Sequence, residues 1–420
     1  MKRFLFILSC PVLLLACTKT DRSLENNNYF HDIILTEEQR ALVSGNNVFA
    51  GSVLNAIARE SESDFVVSPI SIYFALTMLC NGVSGPAQSE ILCVLGDELT
   101  NIGQINEFCH YLFNELQKAD KETVFSLANI LAFNNSLIDV KDDYSKSLTN
   151  YYDALIKGFD FVENNEEALS YINNWVKEKT YSMIPSVLDR LDPSTALLLI
   201  NAAYFKSMWV KSLTFDVNRI ETSSFYKEDG SIISVEMMNT ESLLAHSTYE
   251  KCESVTLGYG NGNFALKIVL PRDGVTANEV VAECCEKDAN FLNKPYAYNS
   301  SIKKVILSIP KFITESRINL IEPLKSLGIK AVFESDSDLS LISDKPFFFN
   351  DCFQKTKIKF DENGSAAATA TVVSGVLGNQ QIDIKEPETI VFNANKPFVY
   401  SIFEMSTNTI LFTGVFRGNK

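Results

Sequence analysis

Asp361-Glu362-Asn363-Gly364-Ser365-Ala366-Ala367-Ala368-Thr369-Ala370-Thr371-Val372-Val373 carries no proline and no charge after Glu362, and most of its residues are small or β-branched. Nothing in it resists becoming a sheet strand. The continuation from Ser374 to Glu388 reads as an exposed loop. There Gly375, Gly378, Asn379 and Pro387 break any period, and Gln380, Gln381, Asp383 and Lys385 interrupt the apolar residues. A stretch that is strand-competent at one end and loop-like at the other is unusual. Taken alone, it is equally compatible with a Gly/Ala-rich surface loop.

Working outward, Lys357-Ile358-Lys359-Phe360 is a strand running straight into this stretch, and Phe398–Met405 with Thr409–Phe416 form a closing strand pair. The run Thr195–Phe205 is apolar on both faces except for Asn201, which suits a central strand of a covered sheet. A lone amide there needs partners, or it costs on the order of 1–3 kcal/mol. Thr123–Phe133, Phe264–Leu270 before Pro271, and Val305–Phe312 are further strands. Helices alternate with them. Thr36-Glu37-Glu38-Gln39 has the form of a capping box. Ser68 can cap the next helix with Pro69 in its first turn, and Pro86 and Gly96 bracket a short one. Glu166–Ile184 is amphipathic, and Leu320–Leu327 is closed by Gly328. The class is α+β.

Bulk properties narrow the function. A chain of 420 residues with 46% hydrophobic and 21% charged residues folds around a sizeable core, and no linker forces a split into domains. A net charge of −15, without a Lys/Arg stripe, argues against a nucleic-acid partner. Lys2 and Arg3 followed by apolar Phe4–Leu15 suit a secretory signal peptide over residues 1–16. Leu14-Leu15-Ala16-Cys17 resembles the bacterial lipoprotein cleavage box. It predicts lipidation at Cys17, a tether over 17–30, and a domain over 31–420 anchored to a bacterial outer membrane or cell surface; ordinary cleavage beside an incidental cysteine is the alternative.

Catalytic chemistry has little to work with. Beyond Cys10 and Cys17 there are seven cysteines, an odd number without a CxxC pair, and most lie in apolar runs that predict buried thiols and no metal site. Of His31, His110 and His246, His110 falls outside the apolar face Ile105, Phe108, Cys109, Leu112, Phe113, Leu116 and is expected to face water. Acidic pairs such as Glu37-Glu38 read as solvated helix faces, and no glycine-rich phosphate cradle is present. Neither an enzyme nor a cofactor is expected.

Taken in order, several segments spell one family. They are Val66-Val67-Ser68-Pro69-Ile70-Ser71-Ile72, Asn201-Ala202-Ala203-Tyr204-Phe205-Lys206 with Trp209, Leu270-Pro271 and Pro310-Lys311-Phe312. Asp361-Glu362-Asn363-Gly364 leading into Ala366-Ala367-Ala368, and Lys396-Pro397-Phe398 before Leu411-Phe412-Thr413-Gly414, complete the set. With these separations the chain resembles a serpin from Leu35 to Gly418. The resemblance implies about three sheets, including a large central mixed sheet, surrounding helices and a reactive loop over about 362–390. A protease cuts the loop, and the part before the cut inserts into the main sheet as an extra strand. A period of two starting at Ser365 sends Ser365, Ala367, Thr369 and Thr371 inward, and all four are small. Glu362 and Gly364 begin the hinge, which continues through Ala366, Ala368 and Ala370.

The resemblance also places Asn201 with Ser68 and Ser71 in a polar cluster under the sheet opening, and Trp209 at the top of the sheet. Gln354 stands where many serpins have histidine; an amide can donate and accept there, without titration near neutral pH. Lys396 similarly replaces a histidine. Two family spacings disagree about the cut. Counting forward from Glu362 gives the vicinity of Leu377, Gly378 and Asn379, whereas counting back from Pro397 gives Lys385 or Glu386, so the loop is about eight residues longer than usual for the family. A cut at Lys385 adds about 23 Å of slack at roughly 3.3 Å per strand residue. That favours the earlier bond and an elastase-, subtilisin- or papain-like endopeptidase over a trypsin-like one. The expectation is a monomeric suicide inhibitor; the alternative is a non-inhibitory serpin that binds or shields, its loop only a cleaved substrate.

Overall fold

The computed structural model describes residues 28–96, 101–287, 291–294, 300–349, 352–364 and 387–419. Cys17, the hinge residues from Ser365 to Thr371, and Leu377, Gly378, Asn379, Lys385 and Glu386 lie outside them.

The chain begins with helix α1 (Glu37–Glu60), strand β1 (Phe65–Val67) and helices α2 (Pro69–Cys80), α3 (Gly85–Leu95) and α4 (Ile102–Lys118). Then come β2 (Val124–Asn134), α5 (Asp142–Tyr152), β3 (Leu155–Phe159), α6 (Asn165–Lys179) and β4 (Leu197–Lys206). The strands β5 (Glu221–Tyr226), β6 (Ile232–Thr248), β7 (Cys252–Tyr259) and β8 (Phe264–Pro271) precede α7 (Ala277–Lys287). The rest is β9 (Ser300–Pro310), β10 (Phe312–Asn319), α8 (Ile321–Leu327), β11 (Phe353–Phe360), β12 (Thr389–Asn393), β13 (Phe398–Glu404) and β14 (Ile410–Phe416).

Local chemistry sets most helix ends. Thr36 and Gln39 cap α1 reciprocally, and Gly96 and Gly328 take left-handed conformations after α3 and α8. Two expectations need correction. Ser68 occupies the cap position of α2, but its hydroxyl donates to the Leu411 carbonyl at 2.7 Å, so Pro69 alone shapes that helix start. Helix α6 stops at Lys179 and does not reach Ile184, because Tyr181 and Ser182 turn left-handed and the Ser182 N–H closes on the Lys177 carbonyl at 2.7 Å.

Among the described residues the strands form two hydrogen-bonded sheets. One is nine-stranded, in the order β1-β14-β13-β8-β7-β6-β9-β12 with β5 on β6; the other is five-stranded, in the order β10-β11-β4-β2-β3. The family resemblance implies about three. The 17-residue β6 merges two of them, pairing β5 at its start, β9 along its middle and β7 at its end. Both sheets mix parallel and antiparallel neighbours. The stretch that the resemblance reads as the reactive loop follows the end of β11, a strand of the five-stranded sheet.

That sheet is covered on both faces. Leu198, Ile200 and Ala202 of β4 pack with Ile130 and Phe353 beneath Ile172 and Val176 of α6. Leu197, Ala203 and Phe205 face the main core, which also holds Phe49, Phe74 and Phe412. The period of two therefore aims Asn201 at the main core, where α2 begins. Of the described cysteines, Cys80, Cys109 and Cys252 are buried as expected, but Cys93 is exposed. His110 is exposed and contacts Asn114.

Candidate functional site

Asn201 lies in a row of three amides on adjacent strands. The register places Asn129 of β2 opposite it on one side and Gln354 of β11 on the other. The Asn201 Nδ2 donates to Asn129 Oδ1 at 2.7 Å, and its Oδ1 accepts from Gln354 Nε2 at 3.4 Å and from the Ser71 hydroxyl of α2. Asn129 in turn donates to the Tyr152 carbonyl at 3.1 Å. Each member is buried, so each of these bonds removes a penalty that solvent would otherwise have to relieve.

Gln354 donates and accepts at once. Its Oε1 accepts from the Ser68 N–H at 2.8 Å and the Thr356 hydroxyl at 3.0 Å, while its Nε2 donates to the Ser68 carbonyl at 3.0 Å. Ser68 therefore enters the cluster through its backbone, not its hydroxyl. Asn129, Tyr152 and Thr356 were missed from the sequence. Asn129 carried the same signal as Asn201, a single amide in an apolar strand.

Above this row the seam between β4 and β11 is short. Among the described residues they pair in parallel at three positions, Gln354–Asn201, Lys355–Ala202 and Thr356–Ala203, whereas β10 and β11 pair at eight. At about 1 kcal/mol net per hydrogen bond, the seam is the cheapest place to part the sheet.

The top of the seam is closed by the turn after β11. Trp209 follows β4, stacks on Tyr259 at a centroid distance of 4.5 Å, and donates from Nε1 to the Asp361 carbonyl at 3.1 Å. Burial pushes the Tyr259 phenol well above its ordinary range, so it stays neutral. Gly364 bridges to Met208 with φ +87°, and a Cβ there would lie 2.6 Å from the Trp209 nitrogen. Only glycine fits this close, left-handed approach. Thus Trp209, Glu362 and Gly364 meet at one end of the seam, and Ser71, Asn201 and Gln354 at the other.

Glu362 pairs with Lys311, which precedes β10, at 2.9 Å. Its hydrogen bond to Lys311 holds the carboxyl below its usual value of 4.5. A lowered native pKa means the pair stabilises fully above pH 4.5 and loses its contribution as the pH falls through the native value. Glu362→Gln should cost less than about 1 kcal/mol near neutral pH, with the difference from the parent vanishing well below pH 4.5. Urea unfolding of both proteins across pH checks this; a difference that persists at pH 2–3 would contradict it.

The geometry is that of a sheet with a short parallel seam, a row of buried amides across it, and a left-handed glycine just after β11. A serpin (serine protease inhibitor) family model matches residues 44–417. The chain belongs to the serpin family. Among its relatives, Iripin-2 of Ixodes ricinus is 30% identical over 387 residues, covering 90% of this chain and 94% of that one. Human neuroserpin is 29% identical over 372 residues, covering 85% and 86%. The crystal structure of the thermophilic serpin tengpin in the native state matches with a TM-score of 0.79 at 24% identity, covering 93% of this chain and 96% of that one. This last likeness concerns the fold alone.

Proposed function

We propose that this serpin is an irreversible suicide inhibitor of endopeptidases, in which cleavage of the 365–386 segment lets its first part enter between β4 and β11. The observation that carries this reading is the three-pair seam, latched by Asn201 and Gln354 and continuous through β11 and Gly364 with the bait. Ser365, Ala367, Thr369 and Thr371 have side chains small enough for the incoming strand to fit a closing sheet. The energy source is conversion of a loop into a paired, covered strand, a strand addition within one chain.

The bond cut lies within Leu377, Gly378 and Asn379, because a tight tether holds an acylated protease distorted and a slack one releases it. An elastase-, subtilisin- or papain-like specificity suits these residues. Incubation with such enzymes should give complexes that survive denaturant, and should release a C-terminal fragment beginning at Gly378, Asn379 or Gln380. Mass spectrometry of that fragment is the test. A start at Glu386 would move the cut to Lys385, and cleavage without a stable complex would leave only the substrate-like reading.

A further inference from the structure

Ahead of α1 the chain runs from Asn28 to Leu35 without regular secondary structure, yet it is pinned to α4, to the turn between β7 and β8 and to the turn between β13 and β14. Asn263 accepts from the His31 N–H at 2.7 Å and donates to the His31 carbonyl at 2.6 Å. Asn261 donates to the Tyr29 carbonyl at 2.8 Å, Ser406 accepts from the Ile33 N–H at 3.1 Å, and the Tyr111 hydroxyl of α4 donates to the Ile34 carbonyl at 2.8 Å. Asn28 donates to Asp120 at 2.5 Å and accepts from the Lys121 N–H at 3.1 Å. Ile33 and Leu35 are buried in the main core. What faces outward is mostly apolar: Tyr29, Phe30 and Ile34 are 74%, 49% and 67% exposed, with Asp32 the charged residue among them. Held by these bonds, three large apolar side chains within six residues stay turned to the outside.

We propose that Tyr29, Phe30 and Ile34 seat this end of the protein on the surface of a lipid bilayer and so fix how the body stands on its anchor. The inference rests on the lipidation read at Cys17. The occupant follows from the chain between the two. Cys17 precedes Asn28 by eleven residues, so at roughly 3.3–3.6 Å per residue it lies within about 40 Å of Asn28 however the chain runs. Acyl chains on Cys17 therefore hold a bilayer at high effective concentration beside these side chains. The chemistry matches that neighbour: a tyrosine ring settles at the headgroup level with its hydroxyl wet, and phenylalanine and isoleucine reach the acyl boundary. Because the backbone is already pinned, little ordering entropy is lost on contact. The lipid supplies attachment, and the pinned segment supplies orientation. Gly260, next to Asn261, donates to the Met208 carbonyl at 2.7 Å, and Met208 bridges to Gly364. The seated end is thus the end of the sheet from which the bait departs, and the proteases met there are those close to the lipid surface.

The test uses the full chain purified from membranes and reconstituted in phosphatidylcholine–phosphatidylglycerol vesicles that carry a lipid with a photoreactive group near its headgroup. Mass spectrometry first reads whether Cys17 is acylated. If it is, crosslinks should concentrate on residues 29–34 and fall roughly tenfold in the variant Tyr29→Ser with Phe30→Ser and Ile34→Ser, with acylation and melting temperature unchanged. Ile34→Ser alone should give an intermediate loss, and it decides the matter if the triple variant melts lower. Crosslinks that fall elsewhere on the body, or that persist in the variants, overturn the proposal. If Cys17 is not acylated, the anchoring reading fails and the surface is judged by itself. Co-sedimentation of the wild type with the same vesicles, lowered by the variants, then supports it, and no co-sedimentation overturns it. A wild-type dimer dissociated by the variants overturns it in favour of a second copy of this chain.

Discussion

Cleavage within Leu377–Asn379 should raise the melting temperature of this serpin by several degrees. In the uncut protein β4 and β11 are direct neighbours, joined at three positions. A strand of about a dozen residues entering there adds ladder hydrogen bonds on both edges, at about 1 kcal/mol net each, on the order of 10 kcal/mol in all. Part of that gain is offset by the entropy of ordering the segment. For a folded body of about 390 residues, 1 kcal/mol corresponds to roughly 1 °C at the midpoint. Differential scanning calorimetry of uncut and elastase-cut protein provides the measurement. A cut chain that melts no higher than the intact one rules out insertion, and with it the suicide mechanism, whatever the identity of the protease.

Replacing the centre of the amide row should have the next largest effect. Asn201→Leu strands the Ser71 hydroxyl and Asn129 Oδ1, and takes from Gln354 Nε2 the longer of its two bonds while leaving the one to the Ser68 carbonyl. Each stranded polar atom costs about 1–3 kcal/mol, and some find substitutes, so a loss of about 3 kcal/mol in the uncut form is expected from urea unfolding. The cost belongs to the unpaired neighbours more than to the missing bond. Adding Asn129→Val to Asn201→Leu should therefore recover part of it, since exchanging both members of a buried pair for apolar groups is far less costly than exchanging one. A single variant that loses under about 1 kcal/mol would show that the row does not latch the sheet.

Much of this site was readable residue by residue. Asn201 stood out as a lone amide and Gly364 as a glycine at a turn, whereas the reading of Ser365 to Thr371 as a strand fit for insertion lies outside the described residues. The capping box at Thr36 and the left-handed Gly96 and Gly328 depend on neighbours within a few positions, and each is found as expected. What escaped depends on distant partners. The Ser68 hydroxyl turns from its own helix to Leu411, 343 positions away in the chain. Asn129 gained its role only when the register put it beside Asn201. The two outer sheets merged because β6 continues for 17 residues, which no local break in the sequence contradicted.

Two kinds of physics divide the molecule accordingly. Side-chain size, backbone permissiveness and the period of two are properties of short segments, so the left-handed turn at Gly364 and the inward direction of Asn201 were set by local chemistry. Which strands become neighbours is set by burying faces against one another across hundreds of residues, and a period of two names a face without naming the strand beside it. The three-pair seam and the row Asn129–Asn201–Gln354 therefore came into being only with packing.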